Sequence, residues 1–288
     1  HNGQALMDRR EFIEGAAAAA ALGMAADAGA VTFSSTRLSV QVRGVGPDVI
    51  LVPGLTQGRG VWSGTVAVLP GYRYHLVQVA GFAGDPASGN ASGRVVASVA
   101  EEVARYIRDQ RLERPAVIGH SMGGIVALMV AARHPAQVGK VMAVDILPVP
   151  ASGFGFAGLQ VGPFADLLFN GLRSTPEGRR TLDNLIDRYG GTAISRSCSD
   201  RDVVARATHE LATTDLTPEL ARITAPLTVV YATPASAQEA AVVTARYRQG
   251  YAAAKAARLR PIAGSGHMIM FDRPALFHAE LQAFLART

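Results

Sequence analysis

Apolar positions along the chain fall into short unbroken runs separated by segments of helical spacing. Asp48–Pro53 is such a run, ending at Gly54, and reads as a strand buried on both faces. The same signal recurs at Tyr72–Val79, Pro115–Ile118, Lys140–Val144, Leu227–Tyr231 and 258–262. Between these runs the period changes. Across 94–111, Val95, Val99, Val103 and Ile107 recur every four residues, which lines up one face of a helix. Gly123–Arg133 reads as a buried helix and 237–254 as a second. A last helix starts near Asp272–Pro274 and is expected to bury Leu276, Leu281, Phe284 and Leu285. Near the start, strict alternation at Thr32–Ser35 and Leu38–Arg43 predicts a β-hairpin.

The alternation breaks once. Residues 148–222 contain no convincing parallel strand and open on an apolar stretch holding Phe154, Phe156, Phe164 and Phe169. Two helix starts follow, at Thr175-Pro176-Glu177 and at a capping box, Ser199-Asp200-Arg201-Asp202. The pattern predicts an α/β protein with a mostly parallel central sheet and helices on both faces. Its core would be 31–147 and 223–288, with 148–222 as a helical cap insert.

Composition narrows the class. The 288 residues are 49% apolar and 18% charged, enough apolar side chain for one large domain and too much for a disordered chain. Net charge is +5, but the basic residues are scattered with only two Arg-Arg pairs, so no nucleic-acid stripe is present. Cys198 is the single cysteine, which excludes an intrachain disulfide and a cysteine-based zinc site.

Residues 1–30 differ in kind. Arg9-Arg10 precede an uncharged run from Gly15 to Ala26, and Ala28-Gly29-Ala30 supply small residues at cleavage-type positions. The segment resembles a twin-arginine export signal with Met7 as initiator, which implies a periplasmic or exported protein; an Ala-rich N-terminal helix on a cytoplasmic protein is the alternative. Twelve apolar residues are too few for a stable membrane span, which needs about 20.

The chemistry centres on Gly119-His120-Ser121-Met122-Gly123-Gly124, between an apolar strand and an apolar helix. Glycines two residues either side let the chain turn sharply, and the turn lifts the serine hydroxyl over a helix N-terminus, where free N–H groups favour negative charge. A serine hydroxyl needs a base. Of the seven histidines, His267 alone sits in a glycine-rich loop after the last strand; His120, next to Ser121, is expected to point away across the turn. With this motif the chain from 31 to 288 resembles the α/β-hydrolase superfamily. Pro53-Gly54-Leu55 ends the strand before the first helix, where such enzymes carry an oxyanion loop, usually His-Gly. The resemblance implies Ser121 as nucleophile, His267 as base, and the backbone N–H groups of Leu55 and Met122 as the oxyanion hole.

The acid is less direct. The usual position follows the strand after the cap, here Tyr231-Ala-Thr-Pro-Ala-Ser236, which holds no carboxylate; Glu239 is the nearest. One branch of the superfamily places the acid after the strand that follows the nucleophile helix, where this chain has Asp145. Asp145 is therefore the first candidate and Glu239 the alternative. Trp62, Phe154 and Phe156 are candidates to line a substrate pocket. The expectation is a serine hydrolase acting on a small, uncharged, fairly apolar ester or lactone, with no cofactor and no metal. A C–C hydrolase of dienoate ring-fission products uses the same scaffold, and the missing carboxylate near 233 motivates a third reading, a non-catalytic binding protein.

Overall fold

The computed structural model describes residues 32–153, 175–177, 180 and 198–287. The proposed export segment lies outside the described residues, as do Phe154, Phe156 and most of the expected cap. Seven strands form one sheet: β1 (Leu38–Arg43), β2 (Asp48–Val52), β3 (Arg73–Val79), β4 (Ala116–His120), β5 (Lys140–Val144), β6 (Leu227–Thr233) and β7 (Arg258–Ala263). Their spatial order is β1-β3-β2-β4-β5-β6-β7, parallel throughout except for β1 against β3. The helices are α1 (Ser63–Val68), α2 (Val96–Asp109), α3 (Met122–Arg133), α4 (Arg201–Thr213), α5 (Ala237–Gly250) and α6 (Pro274–Leu285), with single helical turns at Pro150–Gly153 and Ile269–Asp272.

The unbroken apolar runs have a plain cause. Along β2, Ile50 and Val52 join the cluster packed under α2, α3 and α4, while Val49 and Leu51 join the one under α1 and α6. Successive side chains point to opposite faces, and both faces are covered. The α2 side chains expected on one face, Val95 (just before the helix), Val99, Val103 and Ile107, are all buried.

Three local expectations are corrected. Residues 32–35 form no strand; β1 pairs with β3, Leu38 opposite Val79, because alternation marks a half-buried strand but does not choose its partner. On α6, Leu281, Phe284 and Leu285 are buried as expected, but Leu276 is exposed and Phe277, four residues before Leu281, takes its place on the apolar face. At α4 the cap is Asp200, whose side chain accepts from the Asp202 and Val203 N–H groups. Ser199 instead accepts from the Ala83 N–H, tying the start of α4 to the turn after β3.

Residues 201–222 pack into the sheet. Val203, Val204, Leu211, Leu216 and Leu220 belong to the main core cluster. Glu210 of α4 is buried and accepts from the N–H groups of Val95, Val96 and Ala97 at 2.8–2.9 Å. A carboxylate supplied from another helix thus caps α2, favoured by both the hydrogen bonds and the helix dipole.

The chain runs outward from β2 to β3 and then returns across β2 to β4. Strand order reverses between β2 and β4, and a crevice at the carboxyl ends of the strands is the usual ligand position at such a reversal. The loops carrying Leu55, Ser121, Asp145 and His267 all leave from that edge, after β2, β4, β5 and β7 respectively.

Candidate active site

Ser121 follows β4 directly and caps α3 with φ 54° and ψ −120°, a strained conformation for a residue with a side chain. The turn closes because its neighbours are glycine. A Cβ on Gly119 would overlap the Gly123 carbonyl across the turn, and one on Gly123 would overlap the carbonyls of Val52 and Pro53. The second clash also shows how tightly the elbow sits on the end of β2. The Ser121 N–H donates to the Val144 carbonyl at 2.8 Å, which extends the β4–β5 ladder and brings Asp145 alongside.

Asp145 stands at the end of β5, itself at φ 52°. Its N–H donates to Val230 O at 2.7 Å. The His267 Nδ1–H donates to Asp145 Oδ2 at 2.7 Å, the tautomer following from a carboxylate that only accepts. The other carboxylate oxygen accepts from the Ala232 N–H at 2.8 Å and from the Tyr247 hydroxyl at 3.3 Å. Of the two acids weighed from the sequence, Asp145 reaches the histidine. Glu239 lies exposed on the first turn of α5, where Ser236 caps the helix, so the alternative is not supported.

Tyr247 carries no signal in the sequence. Its ring lies buried, stacked on Tyr231 at 4.0 Å between centroids, and its hydroxyl is held far above the usual phenol range by burial and by the Asp145 charge. It therefore stays protonated and donates.

The His120 ring, expected to turn away from Ser121, packs beside the base: Nε2–H donates to the His267 carbonyl at 2.8 Å, and the two rings lie 4.7 Å apart, a contact with no signal in the sequence. Burial, then repulsion from His267, pushes His120 down to about 3, so the ring is neutral. Because β4 is covered on both faces, alternation alone does not tell which way its last side chain turns. Trp62 corrects an expectation. It is fully buried in the cluster with Phe277, 6.3 Å between ring centroids, and lines no cleft.

The N–H groups of Leu55 and Met122 donate to no acceptor among the described residues. That is the ordinary state of a helix N-terminus for Met122. Among the described residues no group of His, Cys, Asp and Glu could hold a metal ion, and no helix is long and apolar enough to cross a membrane.

The profile of the alpha/beta hydrolase family matches residues 49–280. The chain belongs to the alpha/beta hydrolase family. This hydrolase is 27% identical over 259 residues to a pimeloyl-[acyl-carrier protein] methyl ester esterase of Vibrio cholerae, covering 85% of this chain and 93% of that one. Its match to the enzyme of the same name from Aeromonas hydrophila is 35% identical but spans 112 residues, 38% of this chain and 42% of that one. Among solved structures, an enol-lactonase from Burkholderia xenovorans shares the fold with TM-score 0.61 and 19% identity, covering 87% of this chain and 96% of that one. A hydrolase from Pseudomonas aeruginosa does so with TM-score 0.67 and 18% identity, over 87% and 94%.

Proposed function

We propose that this alpha/beta hydrolase cleaves an uncharged, fairly apolar carboxylic ester or lactone through an acyl-enzyme on Ser121. One observation carries the reading: the Asp145–His267 pair, bonded at 2.7 Å, is packed against the residue that precedes a strained serine. Asp145 holds His267 in the tautomer whose Nε2 is a base and stabilises the imidazolium that forms. Ser121 Oγ attacks the carbonyl carbon and its proton passes to His267 Nε2. The Leu55 and Met122 N–H groups hold the oxyanion, and His267 returns the proton to the departing alcohol. Water, deprotonated by the same ring, then releases the acid. For a lactone the alcohol stays tethered to the acyl group throughout, and the product released is a single hydroxy acid.

Methyl ester hydrolysis in the named relatives and lactone hydrolysis in the structural neighbour both fit this sequence of steps. The binding-protein reading loses its motive, since Asp145 supplies the carboxylate that the stretch near 233 lacks. A panel of p-nitrophenyl esters, lactones and dienoates on purified protein tests the proposal. Ester turnover with a nitrophenol burst stoichiometric with protein supports it. Turnover of dienoates alone moves the reaction to C–C cleavage, and ligand binding without any turnover refutes it.

A further inference from the structure

Gln57 is almost fully buried in the loop after β2, and its amide touches three parts of the site. Its Oε1 accepts from the Gly54 N–H at 2.8 Å, which sets the orientation of the amide, because that N–H can only donate. Its Nε2 then donates to the Met268 sulfur at 3.3 Å, beside His267. The same Oε1 lies 3.2 Å from His120 Nδ1, on the ring whose other nitrogen holds the His267 carbonyl. A Cβ on Gly54 would press on this amide at 3.0 Å, so Gly54 packs directly on Gln57.

We infer that Gln57 is a positioning residue: its amide, bonded to the Gly54 N–H and to the Met268 sulfur, joins the loop that presents the Leu55 N–H to the loop that carries His267, and holds both at fixed distance from Ser121. The inference rests on the serine-hydrolase reading. Several features favour positioning over simple packing. An apolar side chain of the same size fills the space equally well but leaves the Gly54 N–H buried without an acceptor, and the peptide one residue before Leu55 is then free to turn. Oxyanion donors act only when aimed where charge develops, so a small rotation there reduces kcat and leaves ground-state binding nearly intact. His120 also has a distinctive chemistry. Both of its nitrogens face oxygen, and a neutral ring donates to one alone; the shorter contact, to the His267 carbonyl, takes the proton. Nδ1 is left facing Oε1 as a lone pair, a contact that a carboxylate at position 57 would turn into an ion pair.

The experiment compares full-length wild type, Gln57→Leu and Gln57→Glu. Expected for Gln57→Leu is a folded protein with kcat lower by about 10- to 100-fold, KM changed less than about threefold, and inhibition by an alkyl boronate, which must build the tetrahedral oxyanion, weakened in parallel with kcat/KM. Expected for Gln57→Glu, which keeps the acceptor for Gly54, is partial recovery of kcat over the leucine variant, and a His120 ring whose proton, followed by NMR, is lost at a pH well above its wild-type value of about 3. A leucine variant within twofold of wild type overturns the inference. So does equal loss in both variants accompanied by equal loss of stability, which is the mark of packing alone. Should the leucine variant fail to fold, the glutamate variant decides, and an unmoved His120 titration overturns the inference. A wild type that turns over no ester and takes no fluorophosphonate instead refutes the serine-hydrolase reading, and the role assigned to Gln57 falls with it.

Discussion

Among the described residues a histidine–aspartate pair stands at each edge of the sheet. At the carboxyl edge, His267 Nδ1 lies 2.7 Å from Asp145; at the amino edge, His75 Nε2 lies 2.8 Å from Asp48. The second pair even has its own hydroxyl, since Tyr106 donates to His75 Nδ1 at 2.7 Å. The two His–Asp pairs share donor type, acceptor type and nearly the same distance, so these do not make a reactive centre. The surroundings differ. His75 is 2% exposed, Asp48 is also paired with Arg73, and burial pushes the Tyr106 phenol up to about 12, where it holds its proton. The Tyr-His-Asp set satisfies polar groups that fasten β2, β3 and α2 together, whereas the set at the other edge adjoins a serine held in a strained conformation at a helix N-terminus.

The largest expected effect separates the pairs by activity. Asp145→Asn should lower kcat on the order of 10⁴-fold, the size of effect when a triad histidine is held in the wrong tautomer, with the melting temperature little changed. Asp48→Asn should do the reverse, keeping kcat within about threefold while costing roughly 2 kcal/mol of stability in a urea titration, because Arg73 and His75 lose a charged partner. If the amino-edge variant is inactive yet stable, the contrast is wrong.

Next in size is the pH dependence of folding. Burial holds His75 below its ordinary value and His120 down at about 3, so both rings are neutral in the folded chain. The unfolded chain binds protons at these positions below pH ~6.5, so stability is full above that pH and falls as pH drops toward the folded values. The slope is at most about 1.4 kcal/mol per pH unit for each ring. Urea midpoints between pH 7.5 and 5 measure it, and His75→Gln should flatten the curve. At Asp48 burial opposes ionisation, but the bonds from Arg73 and His75 outweigh it and hold the carboxyl below the usual range, so its contribution is lost only at more acid pH, below ~3.9.

The smallest effect belongs to Tyr247→Phe, which removes one donor from Asp145 and leaves the ring stack. The carboxylate is then held less firmly against His267, so kcat should fall by about three- to tenfold with the melting temperature little changed. An unchanged kcat would assign Tyr247 to packing alone.

The carboxyl-edge half of this contrast is legible in the sequence. The strand at Lys140–Val144 was read to the residue, and Asp145 was legible as an acid because it stands one residue past it. Local signals carry that kind of information: apolar runs, a glycine-flanked serine, a histidine in a terminal loop. What stayed hidden depends on partners far apart in sequence. Tyr247 meets Asp145 across 102 positions and His120 meets the His267 carbonyl across 147, and neither is marked by composition or period. The partner of β1, the burial of Trp62 and the exposure of Leu276 on α6 are hidden for the same reason. Each is decided by what packs against the element rather than by the element itself.

The central claim is that Ser121, made reactive by the His267–Asp145 pair, is the nucleophile. Intact-mass measurement after treatment with a fluorophosphonate probe tests it most directly. The account predicts a single adduct on the wild type, mapped to Ser121, a slowed reaction in Asp145→Asn, and no adduct on Ser121→Ala. Labelling of Ser121→Ala at wild-type stoichiometry would contradict it.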